Sequence, residues 1–255
     1  MKRMKHFFGL ITMMVWLLML GCENHLDNIK LEVKKSPSTR TPPSFKGAVF
    51  TVFVPLWSDW NLSGSQCDVT ASGTTYNFLC PSNKFKSTGF HSEVGCVAVA
   101  MGQVMYYWKK PLSYNWSIMK DSCPTSETAR LLYDVGLSVH MMYNYPNSNG
   151  AEGAVYSDSL FLIPKAFKNT FGFSSAKFGA WNFDTLITEL NHNRPVIINA
   201  DNGFNGHSWV VNGYGLDSLG NYHLYSNWGL SYGSWDLLGS WPWEDHKRMV
   251  WKILP

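Results

Sequence analysis

The chain has 255 residues, with 21 Lys and Arg against 18 Asp and Glu, a net charge of +3, and 45% apolar against 15% charged residues. So much apolar surface with so few charges excludes an intrinsically disordered chain. The absence of a Lys/Arg cluster beyond the N-terminus leaves no electrostatic footprint for nucleic acid, and no repeat or low-complexity tract marks a solenoid.

Lys2, Arg3 and Lys5 precede an apolar run, Phe7 to Leu20, that is too short to span a bilayer comfortably. Leu18-Met19-Leu20-Gly21-Cys22 follows, a small residue and then cysteine, which has the form of a lipoprotein signal with Met19 where Leu is usual. Residues 1–22 are therefore expected to be a signal peptide, with the mature product lipidated on Cys22. Several acyl chains on one cysteine anchor a soluble domain firmly. Residues 23–47 turn to Lys, Ser, Thr, Pro and Asn, with Ser36-Pro-Ser-Thr-Arg-Thr-Pro-Pro-Ser44 reading as an extended linker. Residues 48–255 suit one globular domain.

Apolar residues at 97, 100, 101, 104, 105 and 108 have helical spacing and predict an amphipathic helix over 97–109, ended by Pro111. Gly95 allows a sharp entry. Cys96 then sits in the first turn, where the helix dipole favours the thiolate. Further helices are expected around 125–139, with Thr125-Ser126-Glu127 as a capping start, at 157–171 and at 183–192. Pro195 to Ala200 reads as a strand, and 195–255 is strand-rich. Asp201 to Gly206 reads equally as a mobile border of a cleft or a plain turn.

His207 to Tyr214 and Tyr222 to Trp228 read as two strands around a turn at 215–221. A hairpin centred on residue 217 places His207 opposite Asn227, within side-chain hydrogen-bonding reach. The Asn227 oxygen then accepts from one imidazole N–H, Trp228 shields that bond, and the other ring nitrogen is left for the Cys96 thiol. Cysteine, histidine and amide in this order form a set able to activate a thiol nucleophile. Of the five cysteines, Cys67, Cys80 and Cys123 remain after Cys22 and Cys96. An exported chain allows one disulfide among the three, the sequence does not choose the pair, and their spacing fits no zinc site.

With these motifs quoted, the chain resembles the streptopain-like (interpain-type) cysteine peptidases, a bacterial branch of the papain superfamily. Gly95-Cys96-Val97-Ala98 through Gln103-Val104-Met105-Tyr106-Tyr107-Trp108 is similar to their nucleophile helix, and Asp134-Val135-Gly136-Leu137-Ser138-Val139 to a second segment. Gly206-His207-Ser208-Trp209 through Tyr214 is similar to their histidine strand, His223 to Gly229 to their Asn-Trp-Gly strand, and Tyr76-Asn77-Phe78-Leu79-Cys80-Pro81 to a turn before the nucleophile. The resemblance spans roughly residues 50–255. It implies a papain-like α+β fold of two lobes, helical first and antiparallel β second, with the cleft between Cys96 and His207.

The same resemblance implies peptide-bond hydrolysis through an acyl-enzyme. Cys96, His207 and Asn227 are the expected catalytic set, Gly95, Gly206 and Trp228 border the substrate cleft, and neither metal nor cofactor takes part. A glutamine completes the oxyanion hole in this superfamily; Gln66 fits with an insertion at 67–75, whereas alignment from Trp60 puts Leu62 in that slot. Leu230 replaces the second Trp of the usual Asn-Trp-Gly-Trp pattern. The chain leaves no room for the customary prodomain, so no conventional propeptide is expected. Expected partners are protein or peptide substrates and, through the lipid, a membrane; the expected state is a monomer on the outer membrane or cell surface. The rival reading is a catalytically impaired lipoprotein of the same fold serving as a surface binding module. An amidase or transglutaminase using the same dyad is a further one.

Overall fold

Strand β1 (Ala48–Phe53) leads to helix α1 (Cys96–Trp108) and helix α2 (Ser126–Ser138). The short strands β2 (Met142–Tyr143) and β3 (Ala151–Glu152) pair with each other. Helix α3 (Leu162–Lys165) runs into a π-helical turn, Ala166–Thr170. Then come β4 (Ser175–Ala180), helix α4 (Phe183–Asn191), β5 (Val196–Asp201), β6 (Gly206–Asp217), β7 (Tyr222–Asn227), β8 (Gly233–Leu237) and β9 (Asp245–Leu254). The structure, a computed structural model, describes residues 43–62, 74–83, 91–143, 151–152, 161–203, 205–230 and 233–255.

Helices α2 and α4 begin where the sequence places them, each with a side-chain cap. Thr125 caps α2, its hydroxyl accepting from the Thr128 N–H at 3.1 Å, and Asn182 caps α4 through Thr185 N–H at 2.8 Å. Helix α1 closes on Lys109, which adopts the left-handed conformation (φ 52°) that ends a helix. Every residue from Val97 to Met105 is buried, so α1 is a central helix and not the one-sided amphipathic helix its spacing predicts. Of the helix expected at 157–171, Leu162–Lys165 is α-helical and Ala166–Thr170 π-helical, Phe161 is its N-cap, and residues 157–160 lie outside the described ones.

Seven antiparallel strands form the main sheet in the order β4-β9-β5-β6-β7-β8, with β1 also on β6. The twelve-residue β6 is shared on one edge: Gly206–Val211 pairs with β5 and Gly213–Asp217 with β1. Strand β1 therefore carries the N-terminal part of the chain into the C-terminal sheet, which a simple order of helices then strands does not anticipate.

Both faces of this sheet are covered. Side chains alternate along a strand. Ile197, Val210 and Val250 face α1 and α2, packing with Met101, Val104 and Leu132. Ile198, Trp209, Val211 and Met249 face the other way, against Leu186 and Leu190 of α4. That is why Val196-Ile197-Ile198 reads as an unbroken apolar run. The result is the α+β architecture expected, with α1 lying on the sheet so that its N-terminus meets the start of β6. Cys80 is buried and free, and Cys123 is disulfide-bonded, so neither pairing of Cys80 forms. Cys67 lies outside the described residues.

Candidate active site

The entry to α1 is clamped by the Tyr76–Pro81 turn. Asn77 Oδ1 accepts from Val94 N–H at 3.1 Å, Pro81 O from Ser92 N–H at 2.8 Å, and His91 Nδ1 lies 2.5 Å from Cys80 O. Gly95 then turns the chain with φ 86°, a backbone region that favours glycine. No side chain caps α1 at Gly95, and the first helical bond runs from Val99 N–H to Gly95 O. The N–H groups of Cys96, Val97 and Ala98 precede that bond and have no acceptor within the helix. Cys96 is half-buried among these donors.

His207 lies near the start of β6, opposite Ala200 of β5, and is 6% exposed. Its Nε2 is 2.9 Å from the backbone carbonyl of Trp228. A carbonyl only accepts, so Nε2 carries the proton and Nδ1 is the nitrogen left for the Cys96 thiol. Burial pushes the thiol upward, but the hydrogen bond and charge of His207, then hydrogen bonds from Ser208, bring Cys96 below its ordinary value. Burial pushes His207 downward, but the hydrogen bond and charge of Cys96 and the Trp228 carbonyl carry it above its ordinary value. The two shifts together favour a thiolate–imidazolium pair. The Ser208 hydroxyl lies 2.6 Å from Asn199 Oδ1.

Asn227 does not hold His207, which corrects the triad expectation. Its Oδ1 accepts from Gln103 Nε2 at 2.9 Å, and its Nδ2 donates to Ser58 O at 2.8 Å. The reason is register. Leu216 pairs with Tyr222, so the turn is centred on Leu219 and not on residue 217, and a bulge follows between Val211 and Gly213. Asn227 consequently pairs with Val210. His207 lies an odd number of residues from Val210, so it projects from the opposite face of the strand. Asn227 points at α1, and the next residue, Trp228, supplies the acceptor through its backbone.

Trp228 is fixed on its own side, its Nε1 donating to Ser234 Oγ at 2.8 Å. Gly229 follows at φ 66°, and a Cβ there would stand 3.0 Å from Val99 on the nucleophile helix. Its carbonyl accepts from Leu62 N–H at 3.0 Å, while Asn61 bridges to Leu230. Leu62, the alternative glutamine slot, packs its side chain against the core that holds Met101 and Val104. Gln66 and Cys22 lie outside the described residues.

Gly206 opens β6 opposite Asp201. The loop between them is stitched by its own side chains, Asp201 Oδ1 accepting from Gly203 N–H at 3.0 Å and Asn202 Oδ1 from Asn205 N–H at 2.9 Å. Sequence reasoning missed Trp243, whose ring stacks on His207 at 4.6 Å, and the buried Gln103. Gln103 was visible in the nucleophile-helix motif, as a polar residue at a position where every neighbour is apolar.

The chain matches the model of the peptidase C10 family over residues 71–115 and 112–236. It is 26% identical to streptopain of Streptococcus pyogenes serotype M28 over 208 residues, covering 62% of this chain and 50% of streptopain. It is 27% identical to the thiol protease/hemagglutinin PrtT of Porphyromonas gingivalis over 198 residues, 62% of this chain and 21% of PrtT. The chain thus spans half or less of the length of these curated relatives. Among solved structures, active wild-type interpain A cysteine protease of Prevotella intermedia superposes with a TM-score of 0.59 at 19% identity, covering 84% of this chain and 99% of interpain A. That likeness places the fold with the papain-like cysteine proteases, and the family match extends over most of the described chain, through both Cys96 and His207: the chain belongs to the peptidase C10 family.

Proposed function

We propose that this protein is a lipid-anchored, exported cysteine endopeptidase that hydrolyses peptide bonds in protein substrates. The observation that carries the reading is the Cys96–His207 pair at an uncapped helix start, with the two groups shifted in opposite directions. The thiolate attacks the peptide carbonyl carbon, and the oxygen gains the negative charge. The Cys96 N–H at the positive end of α1 donates to that oxyanion, with Gln66 as the proposed second donor. His207 Nδ1 passes its proton to the leaving amine as the C–N bond breaks, leaving a thioester. Water then gives a proton to Nδ1 and its hydroxyl to the acyl carbon, and Cys96 departs as thiolate.

The sign of the pH dependence follows from the two shifts. The active pair exists above the lowered Cys96 value and below the raised His207 value: the acid limb lies below the ordinary 9.0 of a thiol, the alkaline limb above the ordinary 6.5 of histidine, and each shift widens the pH window of the pair.

The test is intact-mass analysis of the full chain after treatment with an epoxide probe selective for papain-type thiols. One adduct is expected on the wild type and none on C96A or H207A. A folded wild-type chain that takes no adduct would instead support the binding-module reading.

Anchoring rests on the Lys2–Cys22 segment alone. The lipid would hold the protein on the outer membrane or cell surface of its bacterium. Cys22→Ser is expected to move the protein from the membrane fraction to the soluble fraction of expressing cells; retention of that variant in the membrane fraction would contradict lipidation at Cys22.

A further inference from the structure

His207 sits in a box of indoles, and one of them is set apart by distance. Trp243 stacks on the imidazole with ring centroids 4.6 Å apart and planes 27° from parallel. Trp209 and Trp228 are 6.1 and 6.2 Å away. A cation over an indole face is attracted by the negative face of the ring, and the attraction fades beyond about 6 Å. We propose that Trp243 is a positioning residue of the active site: its indole holds the His207 ring in plane and stabilises the imidazolium form that the nucleophilic pair requires. This rests on the peptidase reading above.

Trp243 is placed with little freedom. It follows Trp241, which is 4% exposed and is pinned from three directions. Trp241 Nε1 donates to Ser226 Oγ at 3.1 Å, its ring meets Trp209 edge-on at 5.0 Å, and it meets Trp181 edge-on at 5.4 Å. Its backbone N–H donates to Glu244 Oε1 at 3.1 Å, bracketing Pro242 and Trp243 in one closed turn. Proline fixes its own φ and restricts the residue before it, so the Trp-Pro-Trp link is short and stiff. The indole therefore reaches His207 preorganised, which is what a stacking contact needs if ordering the ring is not to cancel its gain.

Charged groups on the elements around His207 do not offer the same support. Asp201 at the end of β5 pairs with His246 at 3.0 Å, and Glu244 pairs with Lys247. Asp245 opens β9 and pairs in register with Asp201. The titratable group that acts on His207 is Cys96 itself.

The experiment uses the full chain as wild type, W243F and W243L. It measures kcat/KM for a peptide substrate against pH and, separately, the pH dependence of Cys96 alkylation by iodoacetamide. For W243L the alkaline limb is expected to fall by about 0.5–1 pH unit, which lowers kcat/KM at pH values on that limb by about three- to tenfold. W243F, which keeps a weaker aromatic face, is expected to fall by about 0.3–0.5 unit. A folded W243L whose limbs coincide with the wild type would overturn the proposal, as would equal shifts in the two variants. Should W243L not fold, W243F decides: coincidence with the wild type overturns the role. A wild-type chain with neither hydrolysis nor alkylation at acidic pH would overturn the peptidase reading instead, before any Trp243 variant is compared.

Discussion

C96A is expected to fold normally and to lose hydrolysis of a peptide substrate, with kcat falling by about 10⁴-fold or more. Cys96 is a half-buried residue at the edge of the core between α1, α2 and the sheet, so loss of its sulfur costs about 1 kcal/mol or less in stability. In the proposed mechanism, by contrast, the thiolate is the group that forms the acyl bond. H207A is expected to lose nearly as much, because nucleophile and base act as a unit, and the double variant should be little worse than either single one. The two differ in a second measurement. In H207A the burial that raises the Cys96 pKa remains while its main opposing influence is gone. Alkylation of Cys96 by iodoacetamide at pH 6 should therefore slow sharply in H207A relative to the wild type. Hydrolysis by a purified C96A variant at the wild-type rate would remove Cys96 from the chemistry.

The placement of Cys96 at a helix start and of His207 on a strand was legible because each depends on local order. A cysteine after glycine, at the head of a run with helical period, is a helix-start thiol whatever the rest of the fold does. A histidine at the head of an apolar run is a strand residue. What joins His207 to its acceptor is not local: it depends on hairpin register, and register is set by the turn and by any bulge. The turn is closed by Asp217, whose carboxylate accepts from Leu219 and Asn221 N–H groups at 2.9 Å each, so the strands run closer to the tip than the residue pattern suggests. The bulge between Val211 and Gly213 adds one residue to one side. Together these change the partner of Asn227 and, since side chains alternate, the face on which it projects.

Of the fold, the helices with caps were readable. Strands β1, β4, β8 and β9 were not resolved individually: β1 lies far from the sheet in sequence, and β4 and β8 are outer strands with weak alternation. Trp243 was hidden for a related reason. It comes from a turn after β8, where aromatic residues carry no periodic signal, and only the three-dimensional meeting with His207 gives it meaning. Trp60, Trp209, Tyr76 and Tyr214 are fully buried packing units, Trp209 and Tyr214 on β6.

The network around Asn227 leads to an expectation opposite to that of a triad asparagine. Asn227 is 2% exposed and Gln103 0%. Gln103 Nε2 donates to both Ser58 O and Asn227 Oδ1 at 2.9 Å, and Asn227 Nδ2 donates to Ser58 O at 2.8 Å. Gln103 Oε1 already has no partner, so the network has little slack. N227A would strip one partner from the Gln103 amide, remove one donor from Ser58 O and leave a small cavity between α1 and β7. The expected cost is about 2–4 kcal/mol, lowering Tm by about 5–15 °C. N227D should be worse, because it replaces the Nδ2 donor by an oxygen facing the Ser58 carbonyl and buries a charge served only by Gln103 Nε2 and, at 3.4 Å, the Gly229 N–H. The His207 ring keeps its Trp228 acceptor in both variants. The alkaline limb of kcat/KM should therefore stay where the wild type has it, with kcat/KM reduced less than about tenfold at temperatures well below Tm. A triad asparagine behaves the other way round: its removal releases the imidazole, shifts the limb and leaves the melting temperature nearly alone. Thermal melts and pH–rate profiles of N227A beside the wild type separate the two. A shifted alkaline limb with unchanged Tm would mean that Asn227 turns onto His207 when substrate binds, and that the α1–β7 staple is not its main role.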